Sequence, residues 1–424
     1  MRSSAEIAGY PARAQNWMPR ENARAAGWFA ASILVASLFL QRFAIPFGAL
    51  GIGIVGPLGL LLAVGALYRG ALVFDRARLA LFAGLTSWLV IGMAHQAMTP
   101  NGYRVAPVTN SLLQFLLLTG FSTLSFAEPV EELAFYRGAA NILSAIAIAG
   151  IAQFALQFVG LGLFSFTGLL PDNLLFESMY NLQIPVGIGD ALKSNGFFLL
   201  EPSIFSQAMA MGTILEILAA RRPWVLAVFI GGLVLSFSGT GWIVLGSFLI
   251  SVGLRLGGRG MLIGVCATVG LLLIAILLML FVPEAASVFG DRVAEFSQPG
   301  TSGNMRFATP FTVLHDVLAH EDWAWLFGVG AGVSEKLDLA YEYDVNTPIK
   351  IIMEFGIPGL LLYFSLFIKA ARTQLQSAML VPALVLIIFA GGYQEFAPVL
   401  FPIFLLICVA RLRPASSLAD ATDV

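Results

Sequence analysis

Apolar blocks of about 20 residues alternate with short polar connections along most of this chain, and a helix of that length crosses the ~30 Å hydrocarbon core of a bilayer. Because lipid offers no partners to backbone polar groups, such a chain spans as helices. The pattern predicts an all-α polytopic membrane protein with about twelve transmembrane helices. The predicted spans are 27–42, 47–68, 78–98, 107–127, 138–163, 203–220, 223–238, 240–256, 260–282, 349–368, 377–392 and 396–410.

Composition supports this interpretation and excludes a set of soluble domains. Hydrophobic residues make up 58% of the chain and charged residues only 11%, less than half the charge of a typical soluble domain. The net charge of −2 carries little information, and no nucleic-acid partner is expected. Cys266 and Cys408 lie inside apolar blocks, which predicts buried free thiols, and neither a metal nor a cofactor is expected.

The positions of the basic residues orient the predicted spans. With a cytoplasmic N-terminus, every cytoplasmic connection carries at least one arginine, as the positive-inside rule requires. The pattern predicts a bacterial inner-membrane protein whose tails, 1–26 and 411–424, are both cytoplasmic and flank a bundle over 27–410. No cleavable signal peptide is expected. Seven basic residues remain outside: Arg42, Arg104, Lys193, Arg292, Arg306, Lys336 and Lys350.

Two outside segments, 164–202 and 283–348, are long enough to hold a site, and the longer one precedes the tenth span. Five of the seven outside basic residues lie in or at the end of these segments, which suggests an anionic partner. Local pairing with Asp291, Glu295, Glu335 or Asp338 is the alternative.

The longer segment contains a predicted helix over 302–323, capped by Ser302 or Asn304. Pro310 allows a second interpretation, in which the helix restarts there with Thr309 as its cap. An apolar stripe predicts that this helix lies on the membrane surface or packs over the bundle. The stripe comprises Phe307, Phe311, Leu314 and Leu318.

After this helix comes LFGVGAG (326–332), whose alternating glycines allow a tight turn and a close backbone approach to a ligand. In the shorter segment, Glu201 precedes Pro202 at the start of a span. The carboxylate either interacts with the helix dipole or lies at an outside cavity. There it would orient a basic residue or take a proton from a hydroxyl.

Four segments carry a family resemblance over about 80–370. They are KSNGFFLLEPSIFSQ (193–207), LSFSGTGWIVL (235–245), Arg306 with its helix and LFGVGAG, and NTPIKIIMEFGIPGLLL (346–362). In this order they resemble motifs of the O-antigen polymerase and O-antigen ligase superfamily of bacterial envelope enzymes. The version with Glu-Pro-Ser is most similar to exopolysaccharide and capsule repeat-unit polymerases.

Three departures from the family pattern bear on activity. Gly239 stands where the family has arginine in its Ser-Arg-Thr element, and Lys193 stands where arginine is usual. Val345 replaces the histidine of the ligases' His-Asn pair, before Asn346. The missing histidine favours a polymerase over a ligase, and also fits a diverged enzyme with changed activity.

The resemblance implies a metal-independent membrane glycosyltransferase with a GT-C-like architecture. Its substrate would be an oligosaccharide on undecaprenyl pyrophosphate, which it would transfer to the end of another lipid-linked repeat unit. The implied partners are this glycan and membrane lipid, with a flippase and a chain-length regulator of an export system as further candidates.

An arginine fork suits the phosphate oxygens of the leaving group. Arg306 is therefore the first candidate to stabilise it, followed by Lys193 and Arg292. Glu201 is the first candidate base, followed by His315 and Glu354. For Glu354, a helix contact or a pair with Lys350 is the alternative. Gly328, Gly330 and Asn346 complete the predicted substrate-binding set.

Three rival functions stay open at this point: a ligase-type glycan transferase, a transporter of lipid-linked polysaccharide, and a non-catalytic scaffold of an export complex. Transporters show matching halves, interrupted helices and buried charges at the midplane, whereas the charges here cluster outside. Convergence of the outside residues on one cavity would favour an enzyme, and a charged central pore would favour transport.

Overall fold

The computed structural model describes most of the helical part of the chain. The described residues are 18–47, 50–99, 108–163, 190–219, 221–255, 301–334, 346–371, 379–389 and 397–413, with short stretches within 166–186 and residue 298. The predicted ninth span, 260–282, lies outside these residues, as do Cys266 and most of the segment before 301.

Helices dominate the described residues. They are α1 (Met18–Phe39), α2 (Val55–Tyr68), α3 (Arg76–Met98), α4 (Thr109–Gly120), α5 (Glu132–Leu156), α6 (Pro202–Ala219), α7 (Pro223–Leu235), α8 (Thr240–Arg255), α9 (Ser302–Phe307), α10 (Thr309–His320), α11 (Ala324–Phe327), α12 (Thr347–Ala371), α13 (Leu380–Phe389) and α14 (Ala397–Phe404). A π-helical turn, Leu405–Val409, continues α14.

Short strand pairs join some of these helices. The antiparallel pairs are β1 (Ala44–Phe47) with β2 (Leu50–Gly53) and β3 (Leu72–Phe74) with β4 (Leu124–Phe126), and the parallel pair is β5 (Val130–Glu131) with β6 (Leu412–Arg413).

Five of the described helices are long and apolar enough to cross a membrane, which fits a helical membrane protein. They are Glu21–Phe39, Arg76–Met98, Glu132–Val159, Pro202–Ala219 and Thr347–Ala371. Further apolar helices of 10–17 residues are Val55–Tyr68, Ser111–Thr123, Pro223–Leu235, Thr240–Gly253 and Ala397–Val409. Each predicted span that falls on described residues overlaps one of the helices.

Two predicted spans have different boundaries in the structure. The span predicted from 47 begins as the β1–β2 hairpin, in which Ala44 pairs with Gly53, and its helix starts only at Val55. Pro46 and the glycines of β2 favour extended backbone over helix at this position. The span predicted over 107–127 has its α-helix over Thr109–Gly120, followed by a 3₁₀ turn and β4.

The helix predicted over 302–323 is divided at Ala308. Pro310 lies in the first turn of α10, where its missing N–H costs nothing, so the interpretation with a restart is confirmed. The predicted caps are wrong, because Thr301 and Ala308 occupy the cap positions of α9 and α10 without side-chain cap bonds.

The inner face of α10 also differs from the predicted stripe. Val313 and Val317 are fully buried, in a small core with residues of α12, whereas Phe311 remains 63% exposed. Leu314 packs against this core, and Leu318 is exposed. Phe311 and Leu318 of the predicted stripe are therefore exposed, and the β-branched Val313 and Val317 at i, i+4 provide the packing face of α10.

A buried arginine, Arg78, binds backbone carbonyl groups at one end of the helical bundle. Arg78 is 1% exposed, and its Nη1 donates to the carbonyl oxygens of Ser122, Leu124 and Cys408 at 3.0, 3.1 and 2.6 Å. Asp75 caps α3 and lies 3.4 Å from the Arg78 Nε atom. One side chain therefore satisfies carbonyl groups at the end of α4 and in the π-helical turn. Cys408 is a buried free thiol, as predicted.

Loss of this arginine should destabilise the bundle. Arg78→Met leaves the three carbonyls without their charged donor, and we expect a cost of about 3 kcal/mol or more. The matched variant Arg76→Met changes an exposed arginine two residues earlier in the same helix, and we expect it to leave the stability nearly unchanged. Thermal unfolding of both purified proteins in the same detergent measures the difference, and equal midpoints would contradict the role of Arg78.

Candidate functional site

Two glutamines at the end of α5 form hydrogen bonds with the turn at 193–198 and the residue before it. Gln153 is 2% exposed, and its Oε1 accepts hydrogen bonds from the Ser194 hydroxyl and the Asn195 and Phe197 N–H groups at 3.0–3.2 Å. Gln157 exchanges two hydrogen bonds with the backbone of Leu192, at 2.9 and 3.0 Å. These contacts fix Lys193, which is half-buried, near the C-terminal end of α5.

Gly196 and Phe197 shape this turn through positive φ angles of 72° and 64°. Residues other than glycine rarely adopt a positive φ angle. The hydrogen bonds that the Phe197 N–H donates to Gln153 and Asn195 stabilise this backbone conformation. A Cβ on Gly196 would come within 2.7 Å of the Phe205 ring. The basic-x-x-Gly-Phe spacing is therefore explained by a strained turn packed against α6.

The segment between this turn and α6 is held by the end of α1. Arg42 is 1% exposed and donates to the carbonyl oxygens of Leu199 and Leu200 at 2.7 and 3.2 Å. Gln41 accepts a hydrogen bond from the Leu200 N–H at 3.2 Å. Burial lowers the pKa of the Arg42 guanidinium to about 10, which leaves it charged at neutral pH. This pair determines where Glu201 lies.

Glu201 is partly exposed and directly precedes α6, which starts at Pro202. Its carboxylate accepts a hydrogen bond from the Ser203 hydroxyl, and its carbonyl accepts one from the Phe205 N–H at 3.2 Å. A carboxylate at this position is stabilised by the helix dipole, and Glu201 is only partly buried.

The first turns of α6 and α8 form one hydrogen-bonded unit. Ser206 Oγ donates to the Ser238 carbonyl and accepts from the Gly241 N–H, both at 3.0 Å. Thr240 Oγ1 donates to the Ser203 carbonyl at 3.1 Å. The segment SFSGTG thus packs directly against EPS. A side chain on Gly239, where the family has arginine, would meet open space.

A second group of residues surrounds a break in α12. Gly356 has φ 74° and ψ 179°, and Gly328 has φ 70° and ψ −173°, a conformation reserved for glycine. A Cβ at Gly356 would overlap the Leu326 carbonyl, and one at Gly328 would overlap the backbone of Glu354 and Phe355. The two glycines therefore allow the turn 326–332 to lie directly on the backbone of α12.

Backbone hydrogen bonds close this contact. The Val329 N–H donates to the Met353 carbonyl at 2.7 Å, and the Gly330 N–H donates to the Glu354 carbonyl at 3.1 Å. The sequence predicted that the glycines permit a close backbone approach to a ligand. In the structure the backbone that they approach is that of α12.

Glu354 lies two turns into α12 and is 3% exposed. Its carboxylate accepts a hydrogen bond from the buried Ser334 hydroxyl. Lys350, one turn earlier, is 2% exposed. Gln96 of α3 donates to the Gly328 carbonyl at 2.8 Å. Charges this deeply buried are costly unless they are paired or functional.

A crevice too narrow to hold a water molecule lies between α3 and this group. Trp88, Gln96, Phe327 and Glu354 are among its lining residues. His95 stacks on Phe327, with ring centroids 4.4 Å apart, and thus extends the aromatic side of the crevice.

The structure places the remaining predicted residues as follows. His315 is exposed on α10, with its Nδ1 3.6 Å from Asp316, on the side opposite the buried valines. Asn346 caps α12, and its Oδ1 accepts from the Ile349 N–H at 3.2 Å. Arg306 belongs to α9. Arg292 and Lys336 lie outside the described residues, as does Val345.

Five of the predicted residues thus fall into two groups, one with Lys193 and Glu201 and one with Gly328, Gly330 and Glu354. Sequence reasoning missed the residues that position them: Gln41, Arg42, Gln96, Gln153 and Gln157. Their signal was present, because each is a polar residue within or at the edge of an apolar block. Among the described residues, no three His, Cys, Asp or Glu side chains gather as a metal site would require.

Comparison with known proteins identifies no relative, since neither a family model nor a curated protein matches this chain. The fold therefore defines the class: a mostly helical protein with several helices of membrane-spanning character.

A substitution at Gly356 tests the close packing of the turn 326–332 on α12. We expect Gly356→Ala to cost at least about 2 kcal/mol, because alanine disfavours this φ/ψ region and its Cβ would overlap the turn. Gly239→Ala, at an exposed position with open space around it, is the matched control. Thermal unfolding and limited proteolysis in the same detergent compare the two, and an unchanged Gly356→Ala protein would refute the close packing.

Proposed function

We propose that this protein is a membrane glycosyltransferase that polymerises oligosaccharide repeat units carried on undecaprenyl pyrophosphate. In this proposal the chain has about twelve spans, as apolar blocks of this length imply, a GT-C-like architecture and both termini in the cytoplasm. The site faces the periplasm of a bacterial inner membrane, and the product is a surface polysaccharide such as exopolysaccharide or O-antigen.

The observation that carries the proposal is the hydrogen-bonded unit formed by KSNGFFLLEPS and SFSGTG. Ser194 N–H donates to the Leu235 carbonyl at 3.2 Å, and Ser206 joins both segments again at the start of α6. Two of the segments that carry the family resemblance are thus neighbours in space. The segment KSNGFFLLEPS contains a cation, Lys193, and a carboxylate, Glu201. Buried hydrogen bonds from Gln153, Gln41 and Arg42 hold this segment in place.

The proposed reaction uses these two groups as acid–base and electrostatic partners. A hydroxyl oxygen of the acceptor sugar attacks the anomeric carbon of the donor, and its proton passes to the Glu201 carboxylate. The bond between that carbon and the pyrophosphate oxygen breaks, and its electron pair leaves with the lipid pyrophosphate. Lys193 and Arg306, with Arg292 as a further candidate, stabilise the charge that develops on the leaving group.

The residues of the α12 group have a supporting role in this proposal. Glu354 and Lys350 are buried, whereas Glu201 is partly exposed, which favours Glu201 as the group that meets an incoming hydroxyl. His315, exposed on the outer side of α10, is the weaker candidate.

Polymerase activity is preferred to ligase activity on one sequence feature. Val345 occupies the position of the histidine that the ligases carry before Asn346. Flippase and chain-length regulator proteins of an export system would then supply the repeat units and set the polymer length.

Transport of a lipid-linked polysaccharide is the second candidate, and a specific observation favours it. The helix α12 is interrupted at Gly356, with Glu354 and Lys350 buried beside the break. Interrupted helices with buried charges form the substrate sites of many secondary transporters. The transporter would leave single repeats inside the cell when it fails, whereas the polymerase would leave them outside.

Polymer formation in a polymerase-null strain tests the proposal. We expect wild type to restore polymer, and Glu201→Gln and Arg306→Ala to lower it by about 10²-fold or more, since each removes a group that acts in the transition state. Lys193→Ala should have a smaller effect in the same direction. Single lipid-linked repeats should accumulate at the periplasmic face in all three variants.

Matched controls separate chemistry from charge. Glu131→Gln and Lys369→Ala remove an exposed carboxylate and an exposed amine at positions outside the proposed site, and both should support full polymer at equal membrane levels. Full polymer from Glu201→Gln and Arg306→Ala would overturn the assignment of the site. Wild type that leaves single repeats inside the cell would favour the transporter.

A further inference from the structure

After α10, the chain descends along α3 through a series of ring contacts. Trp323 lies beside His95, near the end of α3, with ring centroids 6.3 Å apart. The Phe327 ring then lies between His95 and Trp88, at centroid distances of 4.4 and 5.3 Å. Trp88 is roughly 15 Å along the helix axis from Met98, the last residue of α3. The chain therefore reaches toward the middle of a membrane-spanning helix.

Contacts with α12 and α4 give a similar depth and show where the chain returns. The Leu326 carbonyl lies against the backbone of Gly356, which is roughly 14 Å from the start of α12 at Thr347. The Ala331 carbonyl accepts a hydrogen bond at 2.8 Å from the N–H of Val108, the residue before α4. The chain thus enters and leaves the bundle on one side, the side at which α3 ends and α4 and α12 begin.

Protein atoms surround the returning part of this segment. Four of its residues are at most 1% exposed: Val329, Ala331, Val333 and Ser334. Its backbone is bonded to the carbonyls of α12, and Gln96 donates to the Gly328 carbonyl at 2.8 Å. Irregular backbone at membrane depth is tolerated where protein buries it and satisfies its polar groups. The returning part meets this condition.

The descending part has an exposed aromatic face. Trp323 is 55% exposed and Trp325 49% exposed. The short helix α11 packs on both α3 and α12, and these helices have exposed apolar side chains beside it. Ile91 lies one turn before His95 on α3, and Leu361 follows the interruption of α12; both are more than half exposed. Because α3 and α12 are long and apolar enough to cross a membrane, such faces contact lipid.

We propose that residues 323–334 form a re-entrant segment, and that the face with Trp323 and Trp325 contacts the phospholipids of the leaflet on that side. Tryptophan rings are enriched where headgroups meet hydrocarbon, because the ring is apolar and its N–H is polar. The inference does not depend on the proposed function. The segment 283–348, predicted to lie outside the membrane, is then anchored in the membrane at the point where it packs on the interruption of α12.

Quenching of a fluorescent label by lipids tests this contact in nanodiscs that contain phospholipid with a nitroxide on its acyl chain. The full-length protein carries bimane on Trp325→Cys in a Cys266→Ala background, since Cys408 is buried. Leu361→Cys is the lipid-facing reference. Asp190→Cys, at an exposed position outside the helices, is the aqueous reference.

We expect the nitroxide lipid to quench the label on Trp325→Cys severalfold more than the label on Asp190→Cys, and about as strongly as the label on Leu361→Cys. Iodide, which stays in water, should quench in the reverse order. The background protein without an added cysteine should take up no label.

Two results would overturn the proposal. Strong quenching of the Trp325→Cys label by iodide with weak quenching by lipid would place this face in water. Weak quenching by both agents, in a variant that unfolds at the same temperature as wild type, would show that protein covers the face. Trp323→Cys, for which we expect the same order, serves as the second variant if Trp325→Cys does not fold.

Discussion

The hydrocarbon core of a bilayer offers no hydrogen-bond partners to a protein, and this constraint governs where the polar groups of the molecule are found. Arg78 satisfies three carbonyls where α4 ends and the π-helical turn meets it. Arg42 satisfies two more before α6, and Gln153 satisfies three donors in the turn at 193–198. Each of these side chains forms the hydrogen bonds that water would form in a soluble protein. The irregular backbone that forms the candidate site exists because such side chains surround it.

Gly328 and Gly356 allow backbone polar groups to find partners at the interruption of α12. A helix interruption inside a membrane protein exposes backbone polar groups, and here the turn 326–332 supplies N–H donors to the Met353 and Glu354 carbonyls. The contact is close enough that neither glycine tolerates a Cβ. A rigid break of this kind fixes the buried Glu354 and Lys350 in place. This break is the physical basis of the transport alternative.

The candidate site is built around the start of α6. Glu201 directly precedes this helix, and Ser206 binds the first turns of α6 to Ser238 and Gly241 at the start of α8. Gln41 and Arg42, which follow α1, bind the backbone of Leu199 and Leu200 just before Glu201. The position of Glu201 therefore depends on contacts with two helices that are distant in the sequence.

By itself, the sequence determined the class of the protein and the approximate positions of its helices, because the length and apolarity of a block are local properties that the bilayer imposes directly. It also predicted the buried thiol of Cys408 and, as one of two alternatives, the restart of the helix at Pro310. The inner face of α10, the break at Gly356 and the roles of Arg42 and Gln153 were decided by the tertiary structure. The physical reason is that each of these depends on which distant backbone group needs a partner: Arg42 binds Leu199 across 157 residues of chain, and no local pattern contains that information.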